Sequence, residues 1–357
     1  MNTFFLHRSK NSHPNKESFD IEQKKIFAYR EYDEFFSFTH KKTYASSFKN
    51  LTKNNDKKKL INQIYESENL IVFCDAVIEN LDFILELLKI DKLLSNEEIF
   101  FLLYKKYDQD FIKYIKGSFN FLIADLKKDE YIFGSDRFCT KPLFFSVQNN
   151  NFFISTEIKS FKNLSIFNKS LNYKTLYNQL VVSFQKPGET YFKDISKVEK
   201  ATVYLYKNGL LNSKKYYKLT SLEKTQLPYK QTIDKTRELF LKSVKANCYS
   251  NTKVISSITS GGLDSSSITA ALSYIDSKEI NSYSVNFSGI SKEDFLKSDE
   301  RKYINEIAKF KNVYHEFCIA HEDGPFSFQE RFDHDLDQPL LNGNYFYLTK
   351  VLQNVSS

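Results

Sequence analysis

One stretch, VISSITSGGLDSSSITAAL at Val254–Leu272, constrains this chain more than any other. The apolar, β-branched run Val254–Ile258 predicts a buried strand, and Ser265–Tyr274 has the spacing of a helix. Between them Ser260-Gly261-Gly262 leaves room only for a short turn. Glycine lets a backbone turn tightly and come close to a ligand. A helix start presents unpaired N–H groups and the positive end of its dipole. Strand, glycine turn and helix start together predict an anion site suited to phosphate. Ser260 and Ser265 can add hydroxyl donors, and Asp264 stands where a carboxylate could hold the magnesium that accompanies phosphates. A bare Ser-Gly-Gly would be explained as well by an ordinary helix N-cap on Asp264 or Ser265. The full string in its strand and helix context is not. The strings G-x-x-x-x-G-K and G-x-G-x-x-G are absent, which argues against a kinase-type phosphate loop and a dinucleotide fingerprint.

The surrounding pattern changes along the chain. Around the loop, Thr232–Val244 predicts a helix with Ile233, Thr236, Leu239, Phe240 and Val244 toward the core. Ser282–Phe287 and Val313–Cys318 predict strands, with a helix at Arg301–Phe310 between them. Such alternation implies a parallel sheet with right-handed crossovers. Upstream, Ile71–Cys74 is a short strand signal, and Leu81–Lys92 and Glu97–Lys106 have helical spacing. In Gly117–Asp125, Phe119, Phe121 and Ile123 alternate with Asn120, Leu122 and Ala124. Tyr131–Gly134, Leu143–Val147 and Asn151–Ser155 predict further antiparallel strands, with turns at Lys127–Asp129 and Gln148–Asn150. Ala201–Lys207 followed by Asn208-Gly209 begins a hairpin. Residues 1–66 are polar and patchily aromatic. A chain of 357 residues is too long for one ordinary core. The Thr, Ser, Lys and Pro cluster at Leu219–Pro228 marks the boundary, dividing domain 1–220 from domain 226–357.

Composition narrows the classes of function. With 41% hydrophobic and 27% charged residues the chain reads as globular, not disordered. A net charge of +7 from 51 basic and 44 acidic side chains is a mixed, solvated surface. Residues 1–220 show no basic stripe interleaved with stacking aromatics, so no nucleic-acid partner is expected. No run reaches the ~20 apolar residues of a membrane span, and the start of the chain lacks the apolar stretch of a signal peptide. Cys74, Cys139, Cys248 and Cys318 are widely spaced, which suggests neither zinc nor a disulfide framework. Reduced thiols and a cytoplasmic location are expected.

These residues carry a resemblance. SGGLDSS at Ser260–Ser266 is similar to the pyrophosphate loop of the N-type ATP pyrophosphatases, and its LDSS ending is most similar to the asparagine synthetase family. SYSVNF at Ser282–Phe287 resembles that family's second strand. Ser298-Asp299-Glu300 with Ile304–Ala308 resembles the helix that follows, Val313–Phe317 with His315 the next strand, and Asp337-Gln338-Pro339 the segment near the substrate carboxylate. Upstream, GSFNFLIAD, DRFCTKPLFF, FFISTEIKSF, GETYFKDISKVEKA and KKYYKL follow in the order of the family's glutaminase-like domain. The tRNA-modifying enzymes share the SGG-x-DS loop but lack that half. The resemblance implies an N-terminal-nucleophile αββα sandwich over 1–220, with Arg137 and Glu157 as markers of the fold. Over 226–357 it implies a parallel α/β sheet of the adenine nucleotide alpha hydrolase type, incomplete at its C-terminal side. It implies ATP and Mg2+ as cofactors. Ser260, Gly261, Gly262, Leu263 and Ser265 would surround pyrophosphate, and Asp264 would ligate magnesium. Ile258 and Val285 would flank adenine, and Asp337 and Pro339 would lie near the substrate. The reaction implied joins a small-molecule or peptide carboxylate to an amine or ammonia through an acyl-adenylate.

The chain also departs from the family pattern. The nucleophilic cysteine that follows the initiator Met in glutamine-hydrolysing members is here Asn2, and an amide cannot attack an acyl group. The family's Asn-Gly-Glu aligns with Cys74-Asp75-Ala76, and the acidic residue that grips glutamine aligns with Asn96. An acidic residue in an oxyanion site would repel the oxyanion. No glutaminase activity is therefore expected, with Cys74 the candidate replacement nucleophile. The family's second Gly-rich loop, with an Asp-Glu pair, would follow Ser357. Three readings stay open. One is an asparagine-forming ligase using free ammonia. Another forms an internal amide, as β-lactam synthetases and lasso-peptide cyclases do. The third is a truncated, non-catalytic module completed by a partner chain. The lone His315 is expected to be a packed residue and not a catalyst.

Overall fold

The computed structural model describes residues 2–10, 13–30, 32–49, 64–65, 69–162, 164, 167, 169–220, 226–248, 254–275, 278–287, 300–320, 337–338 and 344–356. The chain divides into two compact units, residues 1–221 and 222–357. The first unit begins with β1 (Thr3–Arg8), α1 (Lys16–Phe27), β2 (Glu34–His40), β3 (Thr43–Lys49), β4 (Ile64–Tyr65) and β5 (Leu70–Ile78). Then come α2 (Leu81–Leu88), α3 (Asn96–Tyr107), β6 (Gly117–Asp125), β7 (Glu130–Ser135), β8 (Phe144–Gln148) and β9 (Asn151–Ser155). It closes with α4 (Lys159–Lys162), α5 (Tyr173–Val182), β10 (Ser196–Lys197), β11 (Thr202–Lys207) and β12 (Leu210–Lys215).

These strands form two six-stranded antiparallel sheets, ordered β10-β8-β9-β1-β3-β2 and β12-β11-β7-β6-β5-β4. Successive strand side chains point to opposite faces, and here both faces are apolar. Phe4 and Leu6 of β1 meet Phe73, Leu122, Phe133 and Phe152 in the layer between the sheets. Phe5, one position along, packs with Tyr44 and with Phe161 of α4 on the outer face. Strand β6 behaves alike. Leu122 and Ala124 face the other sheet, while Phe119, Phe121 and Ile123 pack against Phe100 and Leu103 of α3. The alternation within Gly117–Asp125 is thus between two cores, and the layers stack helix, sheet, sheet, helix. The αββα sandwich expected from the resemblance is the fold of this unit.

Local chemistry sets the turns. Asn149 and Asn150 (φ 50° and 61°) join β8 to β9, and Asn208 and Gly209 (φ 52° and 79°) join β11 to β12. Positive φ at both central residues matches the twist of the paired strands. Helix α2 stops before Lys92 because Lys89 takes the left-handed conformation, φ 57°. Helix α3 starts on a capping box. The Ser95 hydroxyl accepts from the Glu98 N–H, and the Glu98 carboxylate accepts from the Ser95 N–H.

The second unit contains α6 (Tyr229–Asn247), β13 (Val254–Ile258), α7 (Leu263–Ile275), β14 (Glu279–Phe287), α8 (Arg301–Ile307), β15 (Val313–Ala320) and α9 (Asn344–Ser356). Its strands form a parallel sheet ordered β13-β14-β15. Leu272, Ile280 and Val313 are the centre of its apolar core, with Val244, Ile255 and Ile307 packed around them. One expectation fails here. Helix α6 buries none of its residues, and Leu239 is 54% exposed. Of the five side chains predicted to face the core, only Val244 packs against that cluster. A cavity of about 500 Å³ is lined by Phe240 and Val244 of α6 together with Val254, Ile255, Ile268 and Leu272 of β13 and α7. Among the described residues no helix is long and apolar enough to cross a membrane.

Gly117 opens β6 at φ 138°, and a Cβ there would lie 2.0 Å from the Val77 carbonyl oxygen. Gly117→Ala is expected to lower the stability of the first unit by about 3 kcal/mol, read from the urea midpoint of unfolding.

Candidate functional site

Strand β13 ends in a clamp. The Thr259 N–H donates to the Tyr283 carbonyl at 2.8 Å, extending the ladder with β14 by one residue. The Ser284 hydroxyl donates to the Thr259 carbonyl. The Thr259 hydroxyl lies 2.7 Å from that of Thr269 on α7 and accepts from Ser282 at 2.8 Å. The next three residues form the turn. The Ser260 N–H donates to the Ser265 hydroxyl at 2.9 Å, the Gly262 N–H to the Ser260 hydroxyl at 3.2 Å, and the two hydroxyls lie 2.9 Å apart. The Ser265 and Ser266 hydroxyls both donate back to the Ser260 carbonyl. The serines read from the sequence as phosphate donors thus hold the loop's own shape.

The Gly261 N–H points elsewhere. It donates to the Glu300 carboxylate at 2.9 Å. An anionic oxygen therefore sits on the loop, supplied by the residue just before α8. Glycine is needed at 261 for space. Neither Gly261 nor Gly262 has positive φ, but a Cβ on Gly261 would come within 2.4 Å of the Glu300 Cβ. Leu263 and Asp264 open α7 and are exposed. Among the described residues no cluster of three His, Cys, Asp or Glu side chains could hold a metal alone. An exposed carboxylate in the first turn of α7 still fits magnesium, which keeps waters and takes one or two carboxylates together with phosphate oxygens.

Ile258 and Val285 share a sheet face. Ser257 and Thr259 turn toward α7, so Ile258 between them turns away. Ile258 is paired with Tyr283, and Val285 lies two residues further along β14. Ile258 is half-exposed and Val285 is partly buried, leaving apolar surface at the carboxyl ends of the strands. Asp337 is buried in the left-handed conformation, φ 61°. Pro339, Ser298 and Asp299 lie outside the described residues.

Sequence reasoning missed Glu300 as a loop contact and the hydroxyls beneath the loop. Ser257, Thr259, Thr269, Ser282 and Ser284 are all buried. They connect to His315, whose Nδ1 lies 3.0 Å from the Ser282 hydroxyl. Burial lowers the His315 pKa below its usual value. Ser257 with Thr259, and Ser282 with Ser284, each two apart and so on one strand face, were the available signal.

In the first unit, the residues aligned with the glutaminase site lie in contact with one another. The Asn2 N–H donates to the Asp75 carboxylate at 3.3 Å, and the Asn2 amide to the Cys74 carbonyl at 3.4 Å. Lys141 forms a 2.7 Å ion pair with Asp75, with both side chains largely buried. Asp75 is therefore compensated by a partner that the sequence did not suggest. Asn96 donates to the Ala76 carbonyl, and its neighbour Glu97 pairs with Lys49. Cys74 is buried, and burial followed by the charge of Glu97 raises its pKa well above a free thiol. Such a thiol is a poor nucleophile. Glu157, expected only as a marker of the fold, is buried and accepts from Tyr29 at 2.6 Å and Lys159 at 2.9 Å. Arg137 stacks over the Tyr217 ring, 4.6 Å from its centroid.

Residues 88–217 match the family described as glutamine amidotransferase domain, and residues 235–357 the family described as asparagine synthase. The chain is 25% identical over 243 residues to asparagine synthetase [glutamine-hydrolyzing] 3 of Bacillus subtilis, covering 64% of this chain and 39% of that protein. It is 28% identical over 185 residues to amidase chry2 of Gibberella zeae, covering 51% and 27%. The chain thus spans less than half the length of these curated relatives. A solved structure of glutamine phosphoribosylpyrophosphate amidotransferase from B. subtilis, complexed with ADP and GMP, aligns over 89% of this chain and 81% of its own, at 10% identity and a TM-score of 0.43.

Two outcomes follow from these sites. Glu300→Gln removes the negative charge resting on Gly261, and metal-free pyrophosphate is expected to bind about fivefold tighter by calorimetry. Lys141→Ala leaves Asp75 buried and uncompensated and is expected to cost about 3 kcal/mol in chemical unfolding, with Asp75→Asn in the same chain restoring most of it.

Proposed function

We propose, on the premise that this chain belongs to the asparagine synthetase family, that its second unit binds magnesium-ATP at the Ser260–Ser265 loop and activates a carboxylate for amide formation. The observation that carries this reading is the carboxylate oxygen held by the Gly261 N–H at the start of α7. A backbone donor at a helix N-terminus that already holds one anion is chemically suited to a phosphate oxygen. Pyrophosphate would replace Glu300 on Gly261, and the Ser260 and Ser265 hydroxyls would turn to it from their bonds within the loop. Asp264 would hold magnesium against the phosphates, and Ile258 and Val285 would pack on adenine.

In this reading a substrate carboxylate oxygen attacks the α-phosphorus, and the bond to the β-phosphate oxygen breaks. Pyrophosphate leaves onto the loop donors, and magnesium held by Asp264 would help to neutralise its charge. An amine or ammonia nitrogen then attacks the acyl carbon, AMP departs, and the nitrogen loses a proton. The chain's residues supply position and charge stabilisation. Ammonia does not come from glutamine here. Asn2 offers no nucleophile, Asp75 is engaged with Lys141 where an oxyanion donor would be needed, and Cys74 is buried as a thiol. The same altered pocket favours a second reading, in which the amine belongs to the substrate itself and the product is an internal amide. Magnesium and the identity of carboxylate and amine are part of the proposal.

ATP–pyrophosphate exchange with aspartate, and separately with peptide carboxylates, tests the reading. Carboxylate-dependent exchange with either supports it, and absence of magnesium-ATP binding by calorimetry defeats it. Asp264→Asn is expected to weaken magnesium-ATP about tenfold while leaving metal-free pyrophosphate within about twofold.

A further inference from the structure

We infer that His315 is a positioning residue for the Ser260–Ser265 loop, acting as the donor end of a one-directional chain of hydrogen bonds that crosses the parallel sheet. The argument is a count of hydrogens, since each hydroxyl has one to give. Thr269 donates its hydrogen to the Ser265 carbonyl one turn back on α7, at 3.1 Å. Its oxygen lies 2.8 Å from the Ser257 hydroxyl and 2.7 Å from the Thr259 hydroxyl, and with its own hydrogen spent it accepts from both. Thr259, having donated to Thr269, accepts from Ser282. Ser282 has then no hydrogen left for His315, 3.0 Å away, so His315 Nδ1 is the donor. Every hydrogen runs the same way, from β15 through β14 and β13 to the first turn of α7.

The register makes the chain possible. Ser257 is paired with Ser282, and Ser282 with His315, so the three stand side by side across the sheet. The chain ends inside the loop, because Ser265 also holds the Ser260 N–H. The assignment fixes the tautomer. With the proton on Nδ1, the neutral ring presents Nε2 as a bare acceptor, and Nε2 is buried without a partner among the described residues. The role of His315 in nucleotide affinity rests on the phosphate reading of the loop. Its role in the shape of the loop does not.

The test uses the full chain. Long-range 1H–15N correlation of the imidazole, assigned by loss in the variants, is expected to show a protonated Nδ1 and an unprotonated Nε2. The opposite tautomer overturns the inference. His315→Phe keeps a ring but removes the donor. It is expected to speed amide exchange at Ser260 and to weaken magnesium-ATP, each about tenfold, the scale of one lost hydrogen bond to a buried acceptor. His315→Asn, whose side-chain N–H can donate from the position of Nδ1, should hold both within about twofold of the parent. A Phe variant with the parent's exchange rate overturns the inference. If His315→Phe does not fold, Ser282→Ala breaks the same chain one link on and is read in the same way. A parent chain that binds no magnesium-ATP defeats the nucleotide reading, while the tautomer and exchange measurements still decide this one.

Discussion

The second unit depends on how Thr259 is held. A strand leaving a sheet carries backbone groups that must find partners if they remain buried. Thr259 is fully buried, and its N–H, carbonyl and hydroxyl are bonded to Tyr283, Ser284, Ser282 and Thr269. The last point of β13 is thus fixed from both the sheet and the following helix. Four residues later α7 begins, tied to the end of the strand through Thr269. The Gly261 N–H takes its direction from that clamp.

The clamp requires a polar interior. Below the loop the sheet carries serine and threonine where aliphatic or aromatic side chains would otherwise stand, and among the described residues an apolar cluster forms around Ile280. A buried polar network is costly when one member lacks a partner and directional when all are satisfied. Here the direction serves the loop. The first unit solves the opposite problem. Its sheets are filled from both faces by aromatic side chains, such as Phe133 stacked on Tyr204 with centroids 5.1 Å apart, and two of its ion pairs lie around Cys74. Lys141 with Asp75 and Lys49 with Glu97 bury four charges in two ion pairs. Such pairs add little net stability, but each becomes a liability if one partner is removed. They surround Cys74, one of the residues that the resemblance aligns with a glutaminase site.

Much of the local structure was legible. The bounds of β6, β9 and β13 follow directly from the apolar and alternating runs Gly117–Asp125, Asn151–Ser155 and Val254–Ile258. The hairpin at Asn208-Gly209 follows from its turn residues. The strands before residue 66 were not legible, because β1 is apolar on both faces and lacks an alternating signal. Helix α6 misled for a different reason. Its apolar spacing is genuine, but an amphipathic face does not say what covers it, and a cavity stands beside it.

The sequence by itself determined the alternation of strand and helix around the glycine loop, the place of that loop between one strand and one helix, and the absence of a nucleophilic side chain at residue 2. These properties depend on near neighbours in the chain, whose spacing decides which faces are apolar and where a backbone can turn. The tertiary structure alone decided what each polar group meets. Glu300 reaches Gly261 across 39 residues, Ser282 reaches Thr259 across 23, and Lys141 finds Asp75 from a loop after β7. Such partners are set by sheet register and helix placement. A hydrogen bond needs its two atoms within about 3 Å, and no local pattern encodes a distance between segments so far apart.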